Sequence, residues 1–228
     1  MRFLERHEVA EQFAGKRVAI VGSAPSVLDN EPGYIDGHDL VVRVNNYKVN
    51  STATGYRTDV FYSFFGTSIR KTAPELSTDG VKLLMCKCPN AHAIDSAWHR
   101  QRNKMNGVDF RYIYRNRRHW WFCDTYIPDL DSFLVKFHLL GDRVPTTGFS
   151  AILDILSFAP GEVYLTGFDF FMSGIHNVTD HWRPGRADDP IGHAPRRELM
   201  WLCQRRHEYP IKCDGRLERE ITAIGANA

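Results

Sequence analysis

Three histidines stand in one polar tract, "SGIHNVTDHWRPGRADDPIGHAPRRE", at His176, His181 and His193. Spacings of five and twelve residues do not place them on one helical face, unlike the pair in HExxH, so a shared metal site is the weaker reading. Imidazole titrates near neutrality without help from its surroundings, and acid/base catalysis is the chemistry this tract suits best. Glu198 follows His193 after four intervening residues, one turn inside a helix that begins near Pro195, where its carboxylate can orient the ring.

Two other segments have the composition of anion-binding turns. "PTTGFSAIL" offers Thr146 or Thr147 as a helix cap, and Gly148 lets a ligand approach the unpaired N–H groups of the first turn. "VGSAPS" places Gly22 and Ser23 between an apolar run and a short helix, a place for a phosphate or for a plain tight turn. It is not GxGxxG and has no Walker lysine, so dinucleotide and P-loop readings lose their main support. In "GFDFF", Asp169 ends a buried run and needs hydrogen-bond partners from a ligand or from nearby backbone. "DLVVRVNN" puts Arg43 inside an apolar run that two asparagines end.

The elements that must position these residues alternate. "RVAIV", "LVVRV", "DVFYSFF", "VKLLMCK" and "EVYLTGF" read as buried strands, and "TTGFSAILDILSF" and "APRRELMWLCQRRHEY" as helices. An N-terminal helix precedes them and "PIKCDG" closes the set as a short strand. This order predicts one α/β domain over residues 1–228, a Rossmann-like, doubly wound and mostly parallel sheet with ligands at the carboxyl ends of its strands. Residues 90–140 have little periodicity until a helix at their end, and are expected to form an irregular lid or acceptor-binding insertion.

Composition narrows the function classes. The 228 residues carry 29 Lys and Arg against 27 Asp and Glu, without the basic excess of a general nucleic-acid binder. Arginines and aromatics do mix in "HRQRNK" and "YRNRRHWW", which leaves open an RNA-binding module at residues 99–121, an acidic acceptor, or a solvated face. No apolar run reaches the roughly 20 residues of a membrane span, and the N-terminus is charged throughout, unlike a secretory signal. Five scattered cysteines without a CxxC pair fit a reducing compartment, and "CKC" reads as small buried thiols before it reads as a metal site.

Taken in order, these segments resemble the sialylmotifs of the family 29 sialyltransferases. "VAIVGSAPSVLD" through "GYIDGHDLVVRVNNYKV" to "TGYRTDVFYSF" is similar to the large motif, and "PTTGFSAILDILSFAPGEVYLTGFDFF" to the small one. "DHWRPG" resembles the third motif and "HAPRRE" the very short one, His, four residues, Glu. Together they span roughly residues 17 to 65 and 145 to 200. The bacterial family 42 enzymes are similar too, through "GSAPSV", "YLTGFDFF" and a histidine after "IG".

The resemblance implies a GT-A-like sialyltransferase fold and an inverting, metal-independent transferase. It would move sialic acid or a related keto-acid sugar from a CMP donor to a glycan or glycolipid hydroxyl. A CMP-Kdo transferase is the nearest alternative. The CMP sugar is then substrate, with no cofactor, no metal and no nucleic-acid partner. The expected location is the cytoplasm, with peripheral association at the inner face of the membrane as a variant. Carried over by residue, His193 is the general base and His181 stands near the leaving phosphate. Asn45, in the matched "R.N", and Ser63, in the matched "DVFYSF", fall at the donor, as do Gly22 and Ser23. Thr146, Thr147 and Gly148 meet the phosphate and cytidine, and Gly167, Phe168 and Asp169 the ribose side. The phosphate-contacting tyrosines of family 42 correspond to Phe171 and about Asn177, so His176 or His181 must replace them. The secretory family 29 disulfide falls on Val18 and Ala159, in keeping with a reducing compartment. Arg43, within its strand, reads as a buried structural cation paired with Asp39 or Asp59.

Overall fold

A computed structural model of the protein describes residues 2–49, 52–65, 69–89, 122–172 and 193–225. Eight strands among them form one wholly parallel sheet. They are β1 (Phe3–Leu4), β2 (Arg17–Val21), β3 (Leu40–Val44), β4 (Val60–Ser63), β5 (Leu83–Cys86), β6 (Asp124–Tyr126), β7 (Glu162–Thr166) and β8 (Ile211–Cys213). Their order across the sheet is β1-β6-β5-β4-β3-β2-β7-β8. From β2 the chain winds outward through β3 to β6, then returns to the other side of β2 as β7. The direction of winding reverses between β2 and β7, and ligands of open parallel sheets bind outside the carboxyl ends at such a point.

Six helices among the described residues cover the sheet: α1 (Arg6–Phe13), α2 (Ala73–Thr78), α3 (Leu130–Leu139), α4 (Thr147–Leu156), α5 (Pro195–Arg205) and α6 (Gly215–Gly225). The inner strands are apolar on both sides because both faces are covered. On one face Val18, Ile20, Val42, Val44, Tyr62 and Met85 join a core with Phe13 of α1, Phe149, Ile152 and Ile155 of α4, and Leu199 and Leu202 of α5. On the other, Ala19, Val21 and Val41 meet Val27 and Ile35, while Phe61, Leu84 and Cys86 form a second group with Leu76 of α2.

The expected strands and helices are all present. The sequence reading did not anticipate β1, β6, α2 and α6. Of residues 90–140, the stretch from 122 onward supplies β6 and α3, which belong to the sheet and its cover, while 90–121 lie outside the described residues. All five cysteines are unpaired. No helix among the described residues is long and apolar enough to cross a membrane.

Candidate active site

Two glycines bring the backbones of β2 and β7 together at the switch point. Gly22 N–H donates to Thr166 O (2.8 Å) and Ala24 N–H to Gly167 O (2.8 Å), extending the β2–β7 ladder beyond both strands. Gly167 has φ +72°, and a Cβ there would fall 2.9 Å from the Gly22 carbonyl carbon, so a side chain is excluded by conformation and by space. Asp214 fixes this turn from behind. One carboxylate oxygen accepts from Gly167 N–H (3.0 Å) while the other caps α6 through Leu217 N–H (2.9 Å). Phe168 follows, and its ring lies against Gly148, where a Cβ would come within 2.7 Å of it. Gly22, Gly148, Gly167 and Phe168, from three separate sequence segments, are thus in contact.

Asp169 accepts a hydrogen bond from Phe171 N–H (3.0 Å). Phe170 and Phe171 both have left-handed φ, 47° and 62°. Two strands away, Asn45 also takes a left-handed φ of 53°, which asparagine tolerates, and receives the Ser63 hydroxyl on its side-chain oxygen (3.3 Å). Asn45 and Ser63 therefore meet at the carboxyl ends of β3 and β4.

The N-terminus of α4 is held by a buried carboxylate. Thr146 caps the helix by accepting from Phe149 N–H (3.2 Å). Its own N–H and hydroxyl donate to the two oxygens of Glu198, at 2.6 and 2.7 Å. Glu198 lies on α5 and is wholly buried. Burial pushes its carboxyl up to about 7 against the opposing pull of the Thr146 hydrogen bonds and Lys87. The N–H groups of Thr147 and Gly148 have no partner among the described residues, so the first turn of α4 presents donors and a positive helix end.

His193 stands next to this turn. Its Nδ1 is 2.6 Å from the carbonyl oxygen of Val144, which can only accept. Nδ1 therefore carries a proton, and in the neutral ring the lone pair sits on Nε2. The expected orienting partner was Glu198. Instead a main-chain carbonyl fixes the ring, and both oxygens of Glu198 are engaged by Thr146. His176 and His181 lie outside the described residues.

Arg43 is buried as expected, but with different partners. Its guanidinium donates to Thr54 O (2.7 Å), Thr58 Oγ1 (3.0 Å) and Arg57 O (3.1 Å). Burial pulls it down to about 10. Asp39 instead accepts from Arg17 N–H (2.8 Å), and Asp59 from Val41 N–H (2.8 Å) and Arg57 Nε (2.9 Å). Asp36 takes Tyr56 N–H (2.8 Å) and Arg57 N–H (3.1 Å). The run from Ile35 to Arg43 is thus a clasp around the loop before β4, and Asn45 is the part of "R.N" that reaches the strand ends.

Sequence reasoning missed Asp214, Val144 and a buried polar group beneath the site. In that group Asp154 of α4 binds Lys136 of α3 (2.6 Å) and the hydroxyl of Tyr62. The Asp-Gly before "RLEREI" was a readable cap signal for Asp214.

No protein-family model matches the chain, and no curated protein is detectably similar to it in sequence. Solved structures do match. CstII, a sialyltransferase from Campylobacter jejuni in complex with the substrate analogue CMP-3FNeuAc, superposes with a TM-score of 0.55 at 18% identity, covering 87% of this chain and 81% of that one. An α-2,3-sialyltransferase from Campylobacter jejuni in apo form gives 0.52 at 14% identity, covering 94% and 78%. A mammalian sialyltransferase in complex with Gal-β-1-3GalNAc-ortho-nitrophenol gives 0.53 at 18% identity, covering 87% and 69%. The chain has the single-sheet, Rossmann-like α/β fold of these sialyltransferases.

Proposed function

We propose that the protein is an inverting glycosyltransferase that moves sialic acid or a related keto-acid sugar from a CMP donor to a glycan hydroxyl. The observation that carries this reading is the placement of His193, with Nδ1 held by Val144 O, beside the donor-rich first turn of α4. Base and anion-binding turn are then adjacent, as displacement of a phosphate-bearing leaving group requires. The sialyltransferases of the same fold, one of them holding a CMP-sugar analogue, support the donor class.

In this reading the acceptor oxygen attacks the anomeric carbon, its proton passes to Nε2 of His193, and the bond from that carbon to the CMP phosphate oxygen breaks. One displacement inverts the centre. A sugar hydroxyl is a weak acid, and removing its proton during attack is worth about 10² to 10⁴ in rate. Negative charge grows on the departing CMP, where the Thr147 and Gly148 N–H groups and the positive end of α4 stabilise it. The strand-end residues Gly22, Ser23, Asn45, Ser63 and Gly167 to Asp169 hold the nucleotide and sugar, with His181 and His176 assigned to the phosphate. Protein groups supply the electrostatics, so no divalent ion takes part. Incubation with CMP-sialic acid and, separately, CMP-Kdo tests the reading through CMP release. Release from one of them is expected, and release from neither contradicts it.

A further inference from the structure

Asn30 ends the short helix Pro25–Asp29 that follows the Gly22 turn, and its side chain reaches back to β7. Its amide nitrogen donates to Val27 O (2.7 Å) and to Thr166 Oγ1 (2.9 Å), and its amide oxygen accepts from the Tyr164 hydroxyl (2.6 Å). Val27 O can only accept, which fixes the end of the amide that faces it. Tyr164 and Thr166 are two apart on β7, so they share the face of the sheet on which Val27 and Ile35 pack. The Asn30 amide thus lies along β7, just short of Gly167. Tyr164 is itself held in place, its ring stacked on His38 at 5.5 Å with Tyr34 edge-on to it at 4.9 Å.

We propose that Asn30 is a positioning residue: by pinning the end of the 25–29 helix to Tyr164 and Thr166, it holds the Gly22–Ala24 turn against Gly167 in the shape that receives the donor nucleotide. This deepens the transferase reading and rests on it for the ligand alone. The turn hangs between two anchors. At its near end Gly22 N–H and Ala24 N–H donate to Thr166 O and Gly167 O, both at 2.8 Å. At its far end Val27 N–H donates to Ala24 O (3.1 Å), while Val27 O is taken by Asn30. Thr166 serves both anchors, its carbonyl receiving Gly22 and its hydroxyl receiving Asn30.

Packing makes the coupling stiff. A Cβ on Gly167 would fall 3.3 Å from the Val27 Cβ, so the helix rests on the residue whose left-handed backbone shapes the switch point. Thr166 is wholly buried and Tyr164 nearly so. A leucine at position 30 would leave the Val27 carbonyl and the Tyr164 hydroxyl without the amide that pairs them, in a place poor in water, and a buried polar group so stranded is costly. The end of the helix then shifts to find other partners, and Val27 carries Ala24 with it.

The test is amide hydrogen exchange, resolved by NMR in the whole free protein, alongside calorimetry of CMP binding. In Asn30→Leu the Gly22 and Ala24 amides should exchange about tenfold faster or more. The Val163 and Asp214 amides, bonded to Pro210 O and Leu165 O on the β8 side of β7, should keep their wild-type rates. CMP should bind about tenfold more weakly. A merely structural asparagine would loosen both sides of β7 alike or leave the affinity of the folded protein unchanged, and either result overturns the proposal. Should Asn30→Leu not fold, Thr166→Val decides the matter, since it removes the hydroxyl and keeps the carbonyl for Gly22. It should speed exchange of the same two amides and weaken CMP about threefold, and wild-type behaviour in it is equally fatal. Failure of the wild-type protein to bind CMP contradicts the transferase reading, on which the exchange pattern does not depend.

Discussion

His193 and Val144 are joined by a 2.6 Å hydrogen bond from imidazole Nδ1 to the main-chain carbonyl, two residues before the Thr146 cap of α4. The ring is therefore anchored to the same short segment that presents the N–H donors. Any displacement of residues 144–146 moves the imidazole and the first turn of α4 together. Glu198 grips that segment from α5, only five positions beyond His193, so α5 controls both.

Replacing Glu198 by Gln changes how stability depends on pH. Its carboxyl sits at about 7 in the folded protein against an ordinary 4.5, so the folded state holds the proton more tightly than the unfolded chain. The contribution of Glu198 to stability then falls as pH rises from 4.5 to 7 and levels off above. The amide has no such titration, and the fall, at most about 3 kcal/mol, should vanish from its profile. Urea unfolding of both proteins between pH 4.5 and 8 measures it.

Gly167→Ala forces a side chain into left-handed backbone and against Gly22. A loss of about 1–3 kcal/mol is expected in denaturant unfolding, because strain and overlap act at the same place. Affinity for CMP should fall as well, since the β2 and β7 turns separate.

Lys136→Met leaves Asp154 buried with only the Tyr62 hydroxyl beside it. Breaking a buried pair from one side costs about 3–5 kcal/mol. Replacing Asp154 by Leu in the same protein should restore much of that loss, because no uncompensated charge remains. Thermal unfolding of the single and double variants tests both statements.

Chelation should leave transfer unchanged. Chelator-treated protein assayed with and without added Mg²⁺ or Mn²⁺ is expected to turn over at the same rate, and a strict metal requirement would remove the N–H groups of α4 from their proposed role.

Much of this arrangement is legible in the sequence, and the remainder is hidden for identifiable reasons. β2, β3 and β7 are apolar runs of five residues or nearly so, ended by Gly or Asn, and α4 shows its buried face as Phe149, Ile152 and Leu156. Periodicity has nothing to work on in β1 and β6, two and three residues long, whose pairing joins positions more than 120 apart. Capping signals did mark α2 and α6, in "TAPE" and in Asp214 with Gly215, but their helices are short or mostly polar. Arg43 was placed correctly in the core and wrongly paired. Neighbouring carboxylates seemed its natural partners, yet the loop from Thr54 to Thr58 offers carbonyls at shorter range, and Arg17 and Arg57 claim the acids. His193 repeats the lesson: the main-chain carbonyl of Val144, and not the Glu198 carboxylate, meets its Nδ1. Lys87 was invisible because a lysine between two cysteines gives no sign of being buried.

The most direct measurement compares wild-type protein with His193→Ala for transfer at saturating CMP-sugar and, in parallel, for CMP affinity by calorimetry. Affinity within about twofold of wild type and a rate lower by about 10² to 10⁴ is the expected result. Undiminished transfer by the alanine variant would contradict the assignment of His193 as the base.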